Sequence, residues 1–377
     1  MKKLGIYIHI PFCKQKCNYC DFYSIKWDDE SENKYIEAIM NEIKSYKSIL
    51  DSNYQADTIF FGGGTPTIVR PENLGKILNS LREVINIEKE SEISMEANPN
   101  TLASGNLKLY KKYGINRLSI GIQSLNDEIL KKIGRIHNSK EALEAIDRAK
   151  NAGIENINAD VMFNIPNQTV NDIEDTVSRI IDRGVKHISF YSLKLEKGTP
   201  MYKMEKSNKI LMPDEEDERE MYYTGRRVME KNNLFQYEIS NFALKGFECR
   251  HNLKYWNQKE YIGFGPSAHS FLNNTRYSNP SDLKLYCHSV EDKFERIIHE
   301  ELDKEDLMFE YIMLRLRLTE GLNIHEFNNK FSANFTEMYK LQIDYLIKNR
   351  LVEFNNNFIR LTKKGMDISN YVIEEFM

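Results

Sequence analysis

Three cysteines stand at Cys13, Cys17 and Cys20, with three and then two residues between them. Thiolates at such short offsets serve metal binding. Two kinds of centre suit them. A structural zinc ion needs a fourth ligand, for which His9 or Asp21 is a nearby candidate. Three thiolates in one tight loop suit a cubane 4Fe-4S cluster better, and they leave one iron without a protein ligand, open to an exchangeable one. The chain has five cysteines, and the other two, Cys249 and Cys287, stand far downstream. An odd, clustered set is not a secreted disulfide framework, so a reducing compartment is expected.

Elements must bring further groups to that loop. Short runs rich in Ile, Phe, Tyr and Val predict strands over Leu4–Ile10, Thr58–Phe61, Glu92–Glu96, Arg117–Gln123, Asn156–Phe163 and His187–Leu193. Amphipathic stretches between them predict helices over Glu32–Ser48, Pro71–Val84, Ser139–Ala152 and Thr169–Asp182, with glycines at helix ends such as Gly114, Gly153 and Gly184. Strand-then-helix units in succession imply an α/β fold with a parallel sheet, open or curled into a partial barrel. In either form the functional groups collect at the carboxyl ends of the strands. The cysteines follow the first strand, Gly62-Gly63-Gly64-Thr65-Pro66 the second, Glu96-Ala97-Asn98-Pro99 ends the third and Gln123-Ser124 the fourth, and Asp160 lies in the fifth. These groups are therefore expected to converge on one site.

With 377 residues the chain is long enough for two or three domains, and with 41% hydrophobic and 29% charged residues its composition excludes collagen-like, mucin-like and globally disordered classes. The net charge of -4 gives no general reason to expect nucleic acid or anionic membrane as partner. The apolar run after Met1-Lys2-Lys3 contains His9 and Pro11 and lacks a small-residue cleavage site, so it does not read as a signal peptide. No apolar stretch approaches the ~18 residues of a membrane span, and a cytoplasmic location is expected.

Beyond about residue 200 the rhythm changes. Pro213 and the acidic run Asp214–Glu218 predict a helix start. A loop-rich aromatic stretch from Tyr237 to Phe271 follows, with Arg250-His251-Asn252-Leu253-Lys254-Tyr255-Trp256 and Gly265-Pro266-Ser267-Ala268-His269-Ser270. The end is mostly helical, with a hairpin of Leu351–Phe354, a turn at Asn355-Asn356-Asn357, and Phe358–Leu361, as in a winged helix. The expected domains are 1–205, a connecting region 206–300 and a carboxy-terminal helical domain 301–377. That last segment has roughly as many acids as bases and no basic stripe, which disfavours nucleic-acid binding.

Cys-x-x-x-Cys-x-x-Cys with Tyr19 before the third cysteine resembles the signature of the radical S-adenosylmethionine superfamily, and Gly62-Gly63-Gly64-Thr65-Pro66 resembles its second motif. Tyr7, His9-Ile10-Pro11-Phe12-Cys13, Glu96-Ala97-Asn98-Pro99, Gly121-Ile122-Gln123-Ser124, Gly134-Arg135-Ile136-His137, Asp160 and the Gly265–Ser270 segment extend the likeness to the coproporphyrinogen III oxidase-like branch over essentially the whole chain. The resemblance implies a partial six-unit barrel of the TIM type and a 4Fe-4S cluster on Cys13, Cys17 and Cys20. It also implies one or two S-adenosylmethionine molecules: Tyr7, Gly63 and Glu96 would serve the cluster-bound one, and Tyr19, Gly64, Thr65, Gln123, Arg135 and Asp160 a second. Reductive cleavage of S-adenosylmethionine to a 5'-deoxyadenosyl radical, with a reductant such as flavodoxin or ferredoxin, is the implied chemistry.

Within the branch the chain departs from the oxygen-independent coproporphyrinogen III dehydrogenase. Six residues precede Tyr7 where the dehydrogenase has a longer extension, and Phe22 stands where it carries a fourth cysteine. His251-Asn252-x-x-Tyr255-Trp256 resembles the stretch typical of HemW-like heme chaperones. That resemblance implies a protein that binds heme and delivers it to an acceptor protein, with decarboxylation of coproporphyrinogen III as the alternative. His251 is the expected heme contact and His269 its competitor, since imidazole ligates heme iron.

Overall fold

The structure is a computed structural model that describes residues 1–51, 53–292 and 296–377. Six strands alternate with helices through its first half: β1 (Lys2–Ile10), β2 (Tyr54–Gly63), β3 (Asn86–Ala97), β4 (Arg117–Gln123), β5 (Asn156–Phe163) and β6 (His187–Ser192). They pair in parallel and in chain order, with Tyr7 opposite Phe60, Ser94 opposite Arg117 and Asp160 opposite Ser189. Alternation along the strands divides their side chains between two layers. On β1, Leu4, Ile6, Ile8 and Ile10 are fully buried in the main hydrophobic core, with residues of the flanking helices Asp29–Ser45 and Pro71–Val84. The alternate residues of β1 include Tyr7 and His9, and one cavity of about 190 Å³ is lined by Tyr7 of β1, Phe60 of β2, Glu96 of β3, Ser119 of β4, Asp160 of β5 and Ser189 of β6. Only a curled sheet lets all six strands touch one cavity. The fold is a partial parallel α/β barrel with a polar lumen.

Local chemistry sets the helix ends. Asp28 accepts the Ser31 N–H at the start of Asp29–Ser45, and capping boxes open Ser139–Asn151 (Asn138 with Glu141) and Val170–Asp182 (Thr169 with Asp172). Downstream, Asp214 caps the helix Glu215–Lys231, whose first turn is acidic.

The stretch Tyr237 to Phe271, expected to be loop-rich, is instead mostly regular. β7 (Phe235–Glu238) and β8 (Asn241–Ala243) extend the sheet beyond β6, and β9 (Tyr261–Phe264), β10 (His269–Leu272), β11 (Thr275–Ser278) and β12 (Ile297–Glu301) extend it beyond β1. The sheet thus has twelve strands among the described residues. Between its two extensions lies the helix Arg250–Trp256, which closes the lumen at the amino ends of the strands. This helix has no side-chain cap of its own at Cys249. Glu92 of β3 supplies one from a distance, accepting the backbone N–H of Arg250 at 3.0 Å and of His251 at 3.1 Å.

Residues Met308 to Phe376 build a second core. It contains the hairpin Val352–Asn355 and Phe358–Leu361, whose two-residue turn Asn356-Asn357 has both φ values positive, at 46° and 67°. Asparagine tolerates that conformation, which suits the right-handed twist of a hairpin.

Candidate functional site

The cysteine loop lies at the carboxyl end of β1, held from three sides. Gly64 N–H donates to the Ile10 carbonyl at 2.8 Å and Thr65 N–H to the Phe12 carbonyl at 2.7 Å, so the glycine-rich turn after β2 is zipped onto the chain entering the loop. A Cβ on Gly64 would stand 2.5 Å from the Phe12 carbonyl oxygen, and one on Gly63, whose φ is +106°, would stand 2.7 Å from the His9 ring. Glycine is what the close approach of these two backbones requires. On the opposite side, Asn18 N–H donates to the Ile133 carbonyl and the Asn18 carboxamide to that of Lys132, both at 3.0 Å. His9 closes the frame. Its Nδ1 is 3.1 Å from the Tyr7 hydroxyl and its Nε2 is 3.0 Å from the Tyr23 carbonyl, just beyond the last cysteine.

Cys13, Cys17 and Cys20 are partly buried free thiols on the wall of a cavity of about 470 Å³. The Thr65 hydroxyl donates to Cys13 Sγ and the Arg135 guanidinium to Cys17 Sγ, each at 3.6 Å. Such donors stabilise thiolate charge. Burial pushes the Cys20 thiol up to about 11. Among the described residues no three His, Cys, Asp or Glu side chains group as the ligands of a single metal ion. A cubane does not ask them to, since each thiolate binds a different iron. The donor set and the adjoining cavity fit a cluster with an added ligand.

The same cavity is lined by Tyr19, Gly63, Gly64, Thr65, Glu96, Gln123, Arg135 and Asp160. Of the residues expected to bind S-adenosylmethionine, Tyr7 alone is not on that wall. It lines the smaller cavity beneath, together with Glu96 and Asp160, which reach both. Glu96 accepts the Gly63 N–H at 3.1 Å. Burial first, and the Asp160 charge second, raise its carboxyl to about 8. Burial also raises Asp160, against hydrogen bonds from Asn158 at 2.7 Å and Ser119 at 3.2 Å. Two carboxylates in one lumen disfavour each other's charge and favour a cationic guest.

Arg135 is fixed by the Gly121 carbonyl and by Asn98 Oδ1, while its Nε is buried with no partner among the described residues. Gln123 bends β4 through a left-handed φ of 69° and accepts the Tyr191 hydroxyl at 2.9 Å. Tyr19 packs on a satellite apolar cluster that includes Ile129, Ile133, Met162 and Leu193. Tyr191, Ser119, Asn158 and Ser189 also belong to the site, beyond the residues expected there. Register unites them: Ser189 stands opposite Asp160 and Tyr191 two residues beyond it, while Asn158 lies two residues before Asp160 and faces Ser119.

His251 lies elsewhere. It sits on the helix that closes the floor, 1% exposed, with Nδ1 2.9 Å from Thr58 Oγ1 and Nε2 2.8 Å from the Tyr255 hydroxyl, and its ring stacks on Phe60. Burial lowers its pKa to about 3. Both ring nitrogens are engaged, so in this arrangement it offers no lone pair to a heme iron.

Comparison with known proteins accords with this geometry. The Radical SAM superfamily model matches residues 7–180 and the HemN C-terminal domain model residues 302–368. The chain is 33% identical over 376 residues to the heme chaperone HemW of Lactococcus lactis, covering 100% of this chain and 98% of that one. It belongs to the HemW family. Against HemW of Bacillus subtilis the identity is 35%, over 98% of both chains, and against HemW of Escherichia coli 30%, over 99% of this chain and 98% of the relative. Coproporphyrinogen III oxidase (HemN) from Escherichia coli, a radical SAM enzyme, has a similar solved structure, with a TM-score of 0.87 at 20% identity over 100% of this chain and 90% of that one. At that identity the likeness speaks for the fold, which HemW and HemN families share. No helix among the described residues is long and apolar enough to cross a membrane.

Proposed function

We propose that this protein is a heme chaperone that binds heme and passes it to an acceptor protein, and that it carries a 4Fe-4S cluster on Cys13, Cys17 and Cys20. The observation that carries the reading is the wall shared by three free thiols and the glycine-rich turn, in a chain alike over its full length to HemW chaperones. The cluster, when bound and reduced by a one-electron donor of the flavodoxin or ferredoxin class, supplies an electron and an open iron position for S-adenosylmethionine.

The chain's own residues do the rest. Gly63 and Gly64 let backbone approach the ligand, Glu96 and Asp160 offer carboxylates to ribose hydroxyls or an ammonium, and Arg135 supplies a guanidinium for a carboxylate. Tyr7, Tyr19, Thr65 and Gln123 complete the walls for one S-adenosylmethionine or two. Arg135 and Thr65 also reach the thiolates, so they couple the ligand pocket to the cluster.

The test is anaerobic. Reconstituted protein is assayed for iron and sulfide, then offered heme and, separately, coproporphyrinogen III with reductant and S-adenosylmethionine. The proposal expects about four irons per chain, saturable heme binding and unchanged coproporphyrinogen III. Conversion to protoporphyrinogen IX would replace it with the dehydrogenase reading, and zinc in place of iron would overturn the cluster.

A further inference from the structure

Beneath the larger cavity, the lower chamber of the lumen holds a charge that nothing in the fold answers. Arg117, the first residue of β4, is 2% exposed and lines this chamber of about 190 Å³. Among the described residues its guanidinium forms no hydrogen bond and no ion pair, Nε included. Leaving a buried charged donor without an acceptor is costly, so such a group is expected where a ligand or water completes it.

Most of the neighbouring polar groups are committed. Asn158 donates to Ser119, Asp160 and Ser189, His251 is held by Thr58 and Tyr255, and Tyr7 is held by His9. Asn252 of the floor helix is not: it lines the chamber, and its carboxamide has no hydrogen-bond partner among the described residues. The same space holds the carboxylates of Glu96 and Asp160, which accept hydrogen bonds from the Gly63 N–H, Asn158 and Ser119. Opposite charges enclosed together would ordinarily pair. Here three different strands hold them apart, and Arg117 acts on both carboxylates only through space. A plain anion in the chamber would leave the carboxylates unanswered, and a plain cation would leave Arg117 so. A guest bearing both signs would answer each.

We infer that the lower chamber binds the zwitterionic head of an α-amino acid, its carboxylate on Arg117 and Asn252 and its ammonium on Glu96 and Asp160. At ~30 Å³ per water the chamber has room for about six, which suits such a head group and excludes a nucleoside or a porphyrin. The way in is from the mouth, because Glu96, Ser119, Asp160 and Ser189 line both cavities and the helix Arg250–Trp256 closes the other side. The charge pattern stands by itself, but the choice of methionine as the amino acid rests on the S-adenosylmethionine reading above. Cleavage of S-adenosylmethionine leaves methionine in this barrel, and the intact molecule carries the same head group at its methionyl end.

The experiment is a calorimetric titration of the full chain with L-methionine, on iron-free protein, where no open iron can chelate the amino acid, and again after reconstitution. Saturable binding is expected in both. On wild type, L-methionine methyl ester, which lacks the carboxylate charge, and 4-(methylthio)butanoate, which lacks the ammonium, should each bind about tenfold more weakly or worse. Arg117→Gln and Asn252→Ala should weaken L-methionine binding similarly, with circular dichroism showing that each still folds. Should Arg117→Gln not fold, the analogue series on wild type decides alone. If Arg117→Gln also weakens S-adenosylmethionine, the head group in the chamber is that of the intact molecule, and if it does not, the guest is free methionine. Either result upholds the site. No saturable binding of L-methionine to the iron-free chain, or analogues that bind as tightly as L-methionine, would overturn the inference and leave the cluster and heme readings standing. Failure of the chain to take up iron would overturn the cluster and leave the iron-free titration to decide this site.

Discussion

The two ends of the barrel lumen are built from the same residue types to opposite ends. At the floor, Glu92 caps the helix Arg250–Trp256, His251 is saturated by Thr58 and Tyr255, and Lys254 pairs with Asp57 at 2.6 Å. At the mouth, three thiols stand open to a cavity, and two carboxylates face each other with their charged forms disfavoured. A polar group whose partners all come from the chain contributes to stability. One held in place with capacity to spare is poised for a ligand. The difference teaches that burial and residue type alone do not mark a functional histidine or carboxylate, whereas the inventory of its partners does.

The contrast can be broken most sharply at the cysteines. Cys17→Ser is expected to abolish the cluster's visible absorbance after anaerobic reconstitution, while the melting temperature of the iron-free chain stays where it was. A variant that kept its iron, or one that melted far below wild type, would erase the distinction between mouth and floor.

At the floor the expected effect is on stability. Glu92→Ala leaves two backbone N–H groups, that of His251 fully buried, without their acceptor and removes a side chain that faces Arg117, so it should cost about 3–5 kcal/mol. Chemical denaturation measures it. If Glu92→Ala were as stable as wild type, the floor helix would not depend on this distant cap.

Gly64→Ala sits between the two regimes. Its Cβ meets backbone, the Phe12 carbonyl, which cannot swing aside as a side chain would. A cost of roughly 1–3 kcal/mol is expected from such overpacking. The hydrogen bonds that zip the turn to the cysteine loop should loosen with it, read as faster amide exchange at Thr65 than in wild type. Unchanged exchange would mean that the loop tolerates displacement.

How far the sequence discloses this arrangement depends on whether the signal is local. The expected spans of β4 and β5, Arg117–Gln123 and Asn156–Phe163, coincide with the observed ones because both are almost wholly buried and stand out as apolar runs between turn signals. β3 begins at Asn86 and not Glu92, since Glu88, Lys89 and Glu90 make its first half look like a loop. The floor helix looks like loop in the sequence for a different reason: its cap is a glutamate about 160 residues away, which no local pattern can display. The cysteine, glycine and carboxylate motifs each follow a strand, and parity places them around one cavity. That both ring nitrogens of His251 are engaged is a matter of tertiary partners, Thr58 and Tyr255, which no local pattern displays.

A pH-dependent effect lies in the carboxylates of the mouth, and its sign is set by linkage. The Glu96 pKa of about 8 lies above that of an unfolded glutamate, so between roughly pH 4.5 and 8 the folded chain holds a proton that the unfolded chain has lost. Stability should therefore decline as pH rises through this window, and Glu96→Gln should flatten that decline without moving the cysteine loop. S-adenosylmethionine carries a sulfonium and an ammonium, which favour the charged carboxylate. Its binding should release a proton below pH 8 and tighten as pH rises toward that value. Calorimetry in two buffers of different ionisation enthalpy measures the proton directly. No proton released by wild type at pH 7, or the same release by Glu96→Gln, would show that Glu96 is already ionised in the free barrel and that the mouth is no more poised than the floor.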